Sequence, residues 1–151
     1  MLKKLLITEE GLKDKKMELE TLNTEREKAV TELQFARDQG DRSENGAYKA
    51  ARWKLSGLDR RIRYLKKVLY QAHVVTRRNI DIVELGAVVE IVMEGYTKQF
   101  TLVGSEESDL ANGKLSFFSP MGKALVGKKK GDECVVTTPK GSVTIVITNV
   151  T

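Results

Sequence analysis

The sequence has one cysteine, Cys134, and one histidine, His73, among its 151 residues. This excludes a disulfide framework and a zinc site built from Cys and His. Aromatic residues make up only 6%, so few large side chains are available for one thick core. An elongated helical part beside a small sheet suits that composition better than a compact ball. No apolar run approaches the ~18 residues of a membrane span. Met1–Thr8 is short for a signal peptide, and acidic residues follow at once. The expectation is a cytoplasmic, monomeric protein without a membrane partner.

Proline and glycine are unevenly placed. Residues 1–79 contain no proline and four glycines, whereas both prolines and eight glycines fall in 80–151. Charge divides at the same place: 19 Lys/Arg against 12 Asp/Glu before it, and 7 against 9 after it. We therefore expect a helical part over 1–76, a linker over 77–83 and a globular part over 84–151.

Periodicity supports two long helices in the first part. Thr8 offers an N-cap, and Glu9 and Glu10 place acids at the positive end of the helix dipole. Leu12, Leu19, Leu22, Ala29, Leu33 and Ala36 then recur at spacings of seven, three, seven, four and three. Gly40 marks the end. In the second run, Ala51, Leu55, Leu58, Ile62, Leu65, Leu69 and Ala72 alternate steps of four and three, a heptad seam. Two such helices joined by a turn near 38–46 make an antiparallel coiled-coil hairpin, roughly 42 Å long for ~28 residues per helix. The second part reads as short strands over 88–93, 99–103, 115–118, 133–137 and 143–150. A short helix, Met121–Val126, is capped by Ser119 with Pro120 at its first position. The fold class is α+β, with an antiparallel sheet.

The two helices differ in charge. Residues 9–38 carry 6 bases and 9 acids, whereas 46–78 carry 10 bases and one acid, Asp59. Cross-helix pairing accounts for part of this. The remaining basic excess is the footprint of contact with a polyanion. The turn, Arg37–Gly46, gathers acids at the tip, with Asp41 and Glu44 three apart. A capping box explains that spacing, and so does a shared hard cation. Two carboxylates alone cannot cage a metal, so a Mg²⁺ site here would take its remaining oxygens from elsewhere.

Gly40-Asp41-Arg42-Ser43-Glu44-Asn45 with Tyr48, then Asp59-Arg60-Arg61-Ile62-Arg63-Tyr64-Leu65, resembles the bacterial Gre transcript-cleavage factors. The second stretch is closer to GreB than to GreA. Ser119-Pro120-Met121, Ala124-Leu125, Gly127-Lys128, Gly131-Asp132 and Thr138-Pro139 resemble the same family in the same order. Gly46-Ala47, Phe118 and Gly122-Lys123 depart from its usual pattern. The resemblance implies a coiled-coil hairpin and a globular domain similar to FKBP-type folds. It implies an accessory factor, not an enzyme, whose globular domain docks on bacterial RNA polymerase through Ser119, Pro120 and Met121. The hairpin would enter the secondary channel and bring Asp41 and Glu44 to the nascent RNA 3′ end. There they would share Mg²⁺ with the polymerase during cleavage of backtracked RNA. Ser43, Asn45 and Tyr48 would support the tip, and Arg37, Arg52, Arg60 and Arg61 would form a basic face near the RNA.

Two alternatives accompany this reading. One is a Gre-like paralogue that occupies the channel and inhibits; the retained Asp41 and Glu44 favour activation. The other is a prolyl isomerase, suggested by fold analogy alone, which leaves the hairpin unexplained. Trp53 and Tyr64 are expected to pack against the partner helix rather than stack on RNA bases. His73 is expected at the end of helix two, and Cys134 as a buried small hydrophobe.

Overall fold

A computed structural model describes residues 4–40 and 45–151. It comprises two compact units. One is Lys13–Gln71; the other joins Met1–Leu12 to Ala72–Thr151.

The first unit is a helical hairpin. Helix α1 spans Glu9–Asp38 and α2 spans Gly46–Gln71. Thr8 caps α1: its hydroxyl accepts from Gly11 N at 3.0 Å, and its carbonyl accepts from Leu12 N at 2.9 Å. Every residue of both heptad seams within the helices is half-buried or buried, with Ala29, Ala36, Ile62 and Leu65 fully so. Arg61–Glu18, Arg26–Asp59 and Lys54–Glu32 pair the helices in opposite order along their lengths, which fixes the antiparallel sense.

The seam spacing carries the second helix through Ala72, and its expected range runs on to residue 78, but α2 stops at Gln71. Ala72–Val74 is instead strand β2, paired in parallel with β1, Leu5–Ile7. The β-branched run Val74-Val75-Thr76 favours extended backbone at this point. His73 therefore sits in a strand, exposed, and not at a helix end.

The main sheet of the globular unit has five strands. They are β3 (Val88–Met93), β4 (Tyr96–Val103), β5 (Lys114–Ser116), β6 (Glu133–Thr138) and β7 (Gly141–Val150), in the order β5-β4-β3-β7-β6. Three neighbouring pairs are antiparallel, as expected, but β5 runs parallel to β4, so the sheet is mixed. Two short 3₁₀ turns, Ser105–Glu107 and Leu110–Asn112, return the chain across the sheet before β5 begins. The β3–β4 loop is tighter than the four residues expected. Only Glu94 and Gly95 lie between the strands, both with positive φ (50° and 80°), as a type I′ turn requires. Val83, Val89, Ile91, Leu102, Leu125, Ile145 and Ile147 have no exposed surface and form the core under the short helix α3, Pro120–Leu125.

The segment after β2 is held by its own hydrogen bonds. The Glu84 carboxylate accepts from the backbone N–H of Arg78 and Asn79, and the Arg77 guanidinium donates to the carbonyls of Asn79 and Ile80. Nearby, Glu107 accepts from Thr8 N and Gly104 N, both at 3.0 Å, and from the Thr8 hydroxyl. A side chain at Gly104 would collide with the Leu6 carbonyl, so that position needs glycine, and one at Gly11 would displace the Glu107 carboxylate.

Candidate functional site

Asp41, Ser43 and Glu44, the acids and the hydroxyl of the tip, lie outside the described residues. The flanks of the tip are described. Asn45 joins the two helix ends: its Nδ2 donates to the Ala36 carbonyl at 2.6 Å, and its Oδ1 accepts from Tyr48 N at 3.1 Å. The second bond is the N-cap bond of α2, since Tyr48 is its third residue. Capping of α2, one of the two explanations for the tip acids, is thus performed by Asn45.

Tyr48 lies at the head of an open cleft of about 400 Å³ between α1 and α2. Leu33, Arg37, Arg52, Asp59 and Arg63 also line it. Asp59 is held by Arg26 at 2.5 Å. Among the described residues, no ion pair engages Arg37, Arg52 or Arg63. Three guanidiniums thus border one cleft whose only acid among the described residues is already paired, an arrangement that attracts phosphate oxygens.

The expected basic face is therefore not one surface. Arg37 and Arg52 come together at the cleft. Arg61 lies on another flank of α2, its Nη2 2.6 Å from Glu18 Oε1. Arg60 is exposed on the side away from the seam. Arg63 belongs to the cleft and was missed as a site residue. Its position four residues beyond Asp59 was the available signal, because that spacing stacks the two side chains on one helix face. Trp53 and Tyr64 are also placed otherwise than expected. Trp53 is 80% exposed and Tyr64 42%, so neither is buried against the partner helix. The Arg61 guanidinium lies over the Tyr64 ring, 5.3 Å from its centroid.

In the globular unit, Ser119 caps α3. Its Oγ accepts from Gly122 N at 3.0 Å and donates to the Ser116 carbonyl at 2.7 Å. Pro120 fills the first helical position. A Cβ at Gly122 would collide with the Ser116 carbonyl, which accounts for glycine at that departure from the family pattern. Pro120 and Met121 border an open apolar groove of about 770 Å³ that Met93, Phe100, Leu110 and Leu115 also line. Phe118 lies beside α3, 46% exposed and edge-on to Phe117. Cys134 is only half-buried, not the buried small hydrophobe expected, and desolvation pushes its thiol above the ordinary range. A thiol raised in this way offers less thiolate near neutral pH than a free one.

Among the described residues, no three His, Cys, Asp or Glu side chains come together to hold a metal ion, and no helix is long and apolar enough to cross a membrane.

Comparison with known proteins covers nearly the whole chain. The N-terminal profile of transcription elongation factors of the GreA/GreB type matches residues 5–74, and the C-terminal GreA/GreB profile matches 77–151. The chain is 39% identical over 141 residues to transcription elongation factor GreA of Nitratidesulfovibrio vulgaris, covering 91% of this chain and 86% of that one. It is 39% identical over 153 residues to the GreA of Oceanobacillus iheyensis, covering 98% and 97%. A solved structure of the transcription factor Gfh1 is similar across 99% of both chains, with a TM-score of 0.50 and 26% identity. These relatives do not single out GreB, so the likeness of Asp59–Leu65 to GreB stays a resemblance of that stretch.

Proposed function

Because the chain belongs to the GreA/GreB family of transcription elongation factors, we propose that it binds bacterial RNA polymerase and stimulates the polymerase's own cleavage of backtracked RNA. In this reading the hairpin enters the secondary channel and the globular unit docks outside it. The factor is an accessory without an active site of its own, working as a cytoplasmic monomer.

The observation that carries the reading is Asn45. It already caps α2 through Tyr48 N and ties in the Ala36 carbonyl. The charges of Asp41 and Glu44 are then not needed for that cap, and an external role explains two acids at the end of a basic element. Two carboxylates suit a hard cation completed by oxygens from another molecule. Asp41 and Glu44 would hold such an ion, Mg²⁺, jointly with polymerase. When bound, it would stabilise the attacking and leaving oxygens of the scissile phosphodiester.

The chain's own residues do the rest. Asn45 holds the helix ends together, so the acids enter on a fixed base. Arg37, Arg52 and Arg63 face the RNA phosphates, with Asp59 kept out of competition by Arg26. The rigid Ser119–Pro120 cap presents Pro120 and Met121 beside the apolar groove, which suits a docking surface. Of the aromatics in this unit only Phe100 lines that groove. A proline-isomerising cleft needs an aromatic lining, so this favours docking.

Asp41→Asn and Glu44→Gln test the proposal in a transcript-cleavage assay on stalled polymerase complexes. Each is expected to lower stimulated cleavage by at least about tenfold, the scale of losses when a metal site is weakened. Each is expected to leave helix content unchanged and still compete with the wild type for polymerase. Added Mg²⁺ is expected to restore part of the activity. A double variant that stimulates like wild type at low Mg²⁺ overturns the reading. A wild-type protein that binds and only inhibits overturns it in favour of the inhibitory alternative.

A further inference from the structure

Helix α2 has a face that none of the roles above uses in full. Counting from Lys49, the residues Lys49, Trp53, Gly57, Arg60, Tyr64 and Lys67 follow at steps of four, four, three, four and three. At about 100° per residue they form one stripe, centred roughly 160° around the helix from the Ala51–Leu69 seam. All six are exposed. Flanking sectors differ. Lys54 and Arg61 on one side are paired with Glu32 and Glu18, and Arg52 and Arg63 on the other border the cleft. Within the stripe, no ion pair engages Lys49, Arg60 or Lys67 among the described residues. Between these cations stand two exposed aromatic rings, one of them the only tryptophan of the chain.

We infer that this outer stripe of α2 is a stacking track for single-stranded RNA, with Trp53 as its principal base platform. It deepens the reading of the hairpin as an RNA-facing element and adds base contacts to what was a phosphate-binding role. A solvated salt-bridge face does not require an 80%-exposed indole. An acidic protein surface would use the cations and leave the rings idle. Alternating rings and unpaired cations are what a strand needs, because every base has a π-face and every linkage a charge. Gly57, one turn from both Trp53 and Arg60, has no atom within 4 Å of where a Cβ would stand, so the path between them is open. Trp53 and Tyr64 are ~16 Å apart along the axis, so they would take non-neighbouring bases of one strand.

The single tryptophan reports directly on this site. The full-length protein is titrated with a short single-stranded oligoadenylate, with an abasic strand of equal length, and with polyglutamate. Oligoadenylate is expected to quench Trp53 emission. The abasic strand is expected to bind while leaving emission near that of the free protein. By fluorescence anisotropy of labelled RNA, Trp53→Ala is expected to weaken binding on the order of tenfold, and Trp53→Phe to recover most of it. Lys49→Ala with Lys67→Ala is expected to lower the salt slope by about 0.7 per lysine, with quenching at saturation unchanged. Equal quenching by the abasic strand or polyglutamate overturns the inference, as does unchanged emission at saturating RNA or wild-type affinity in Trp53→Ala. No polymerase is present in this assay. Its failure removes the track and leaves the tip acids standing, whereas loss of cleavage with quenching intact removes only the proposed function.

Discussion

In the globular unit Val89, Ile91, Leu102, Ile145 and Ile147 have lost all contact with water, and strands far apart in sequence close over them. In the hairpin Leu19, Leu22, Leu33, Leu55 and Leu58 are only half-covered, and Ala29 and Ala36 are the buried apolar positions of α1 after its first turn. The globular unit is held by a dry interior. The hairpin buries only Ile62, Leu65 and Val68 of α2 beside those two alanines, and so leans more on helix propensity, end caps and charge pairs, each worth fractions of a kcal/mol to about 1 kcal/mol. A two-helix rod with so little interior leaves most of its side chains, and nearly all of its charges, outward. Marginal local stability is thus the physical counterpart of a chemically rich surface.

This contrast is open to direct attack. Ile147→Ala is expected to cost about 3 kcal/mol, because its cavity lies in a core that cannot relax. Leu33→Ala in the half-covered seam is expected to cost about half as much. Residue-resolved amide exchange is the measurement. Protection is expected to fall across β3 and β7 in the first variant and within α1 and α2 in the second. Equal costs, or one collapse shared by both units, would end the distinction.

A smaller effect sharpens it. Asn45→Ala is expected to destabilise the hairpin by ~1 kcal/mol, the usual loss for an N-cap, with the exchange of β3 and β7 unaltered. Asn45→Asp keeps an acceptor for Tyr48 N but loses the donor to Ala36, so it is expected to fall between the two.

The smallest effect concerns pH. Two backbone N–H donors hold the Glu84 carboxyl below its ordinary 4.5. A depressed carboxyl stabilises the fold above the unfolded-state value and loses that contribution as pH falls through the folded-state value. Glu84→Gln is therefore expected to flatten the fall in stability below about pH 4.5 and to change little at pH 7. Urea titrations at several acidic pH values check this. An acid limb identical to wild type would show that the bonds from Arg78 and Asn79 make no net contribution.

The two helices were readable wherever spacing alone decides them. Leu12 to Ala36 and Ala51 to Leu69 marked both helices, and Thr8 marked the start of α1, because caps and seams are local. The end of α2 was misjudged for the opposite reason. Ala72 keeps the heptad, but its strand partner is Leu5, near the other end of the hairpin sequence. The direction of β5 was misjudged because the return path depends on two 3₁₀ turns that carry little sequence signal. Trp53 was misplaced by preferring a hydrophobicity rule to geometry. It is two residues from both Ala51 and Leu55, about 200° from each, and so had to face away from the seam. Glu107 could not have been read as the partner of Thr8 at all, since 99 residues separate them.

That last separation also sets an order of events. A chain made from its N-terminus can wind α1 and α2 as soon as they emerge, since their contacts are local. Thr8 can cap α1 through Gly11 at the same stage. Its second partner is made last: at 5–20 residues per second, Glu107 follows Thr8 by roughly 5–20 seconds. Until then Leu5–Ile7 has at most Ala72–Val74 beside it, and the Thr8 amide lacks its carboxylate. The hairpin is thus the early-folding half of a nascent chain, and the root of α1 is sealed only when the globular unit closes.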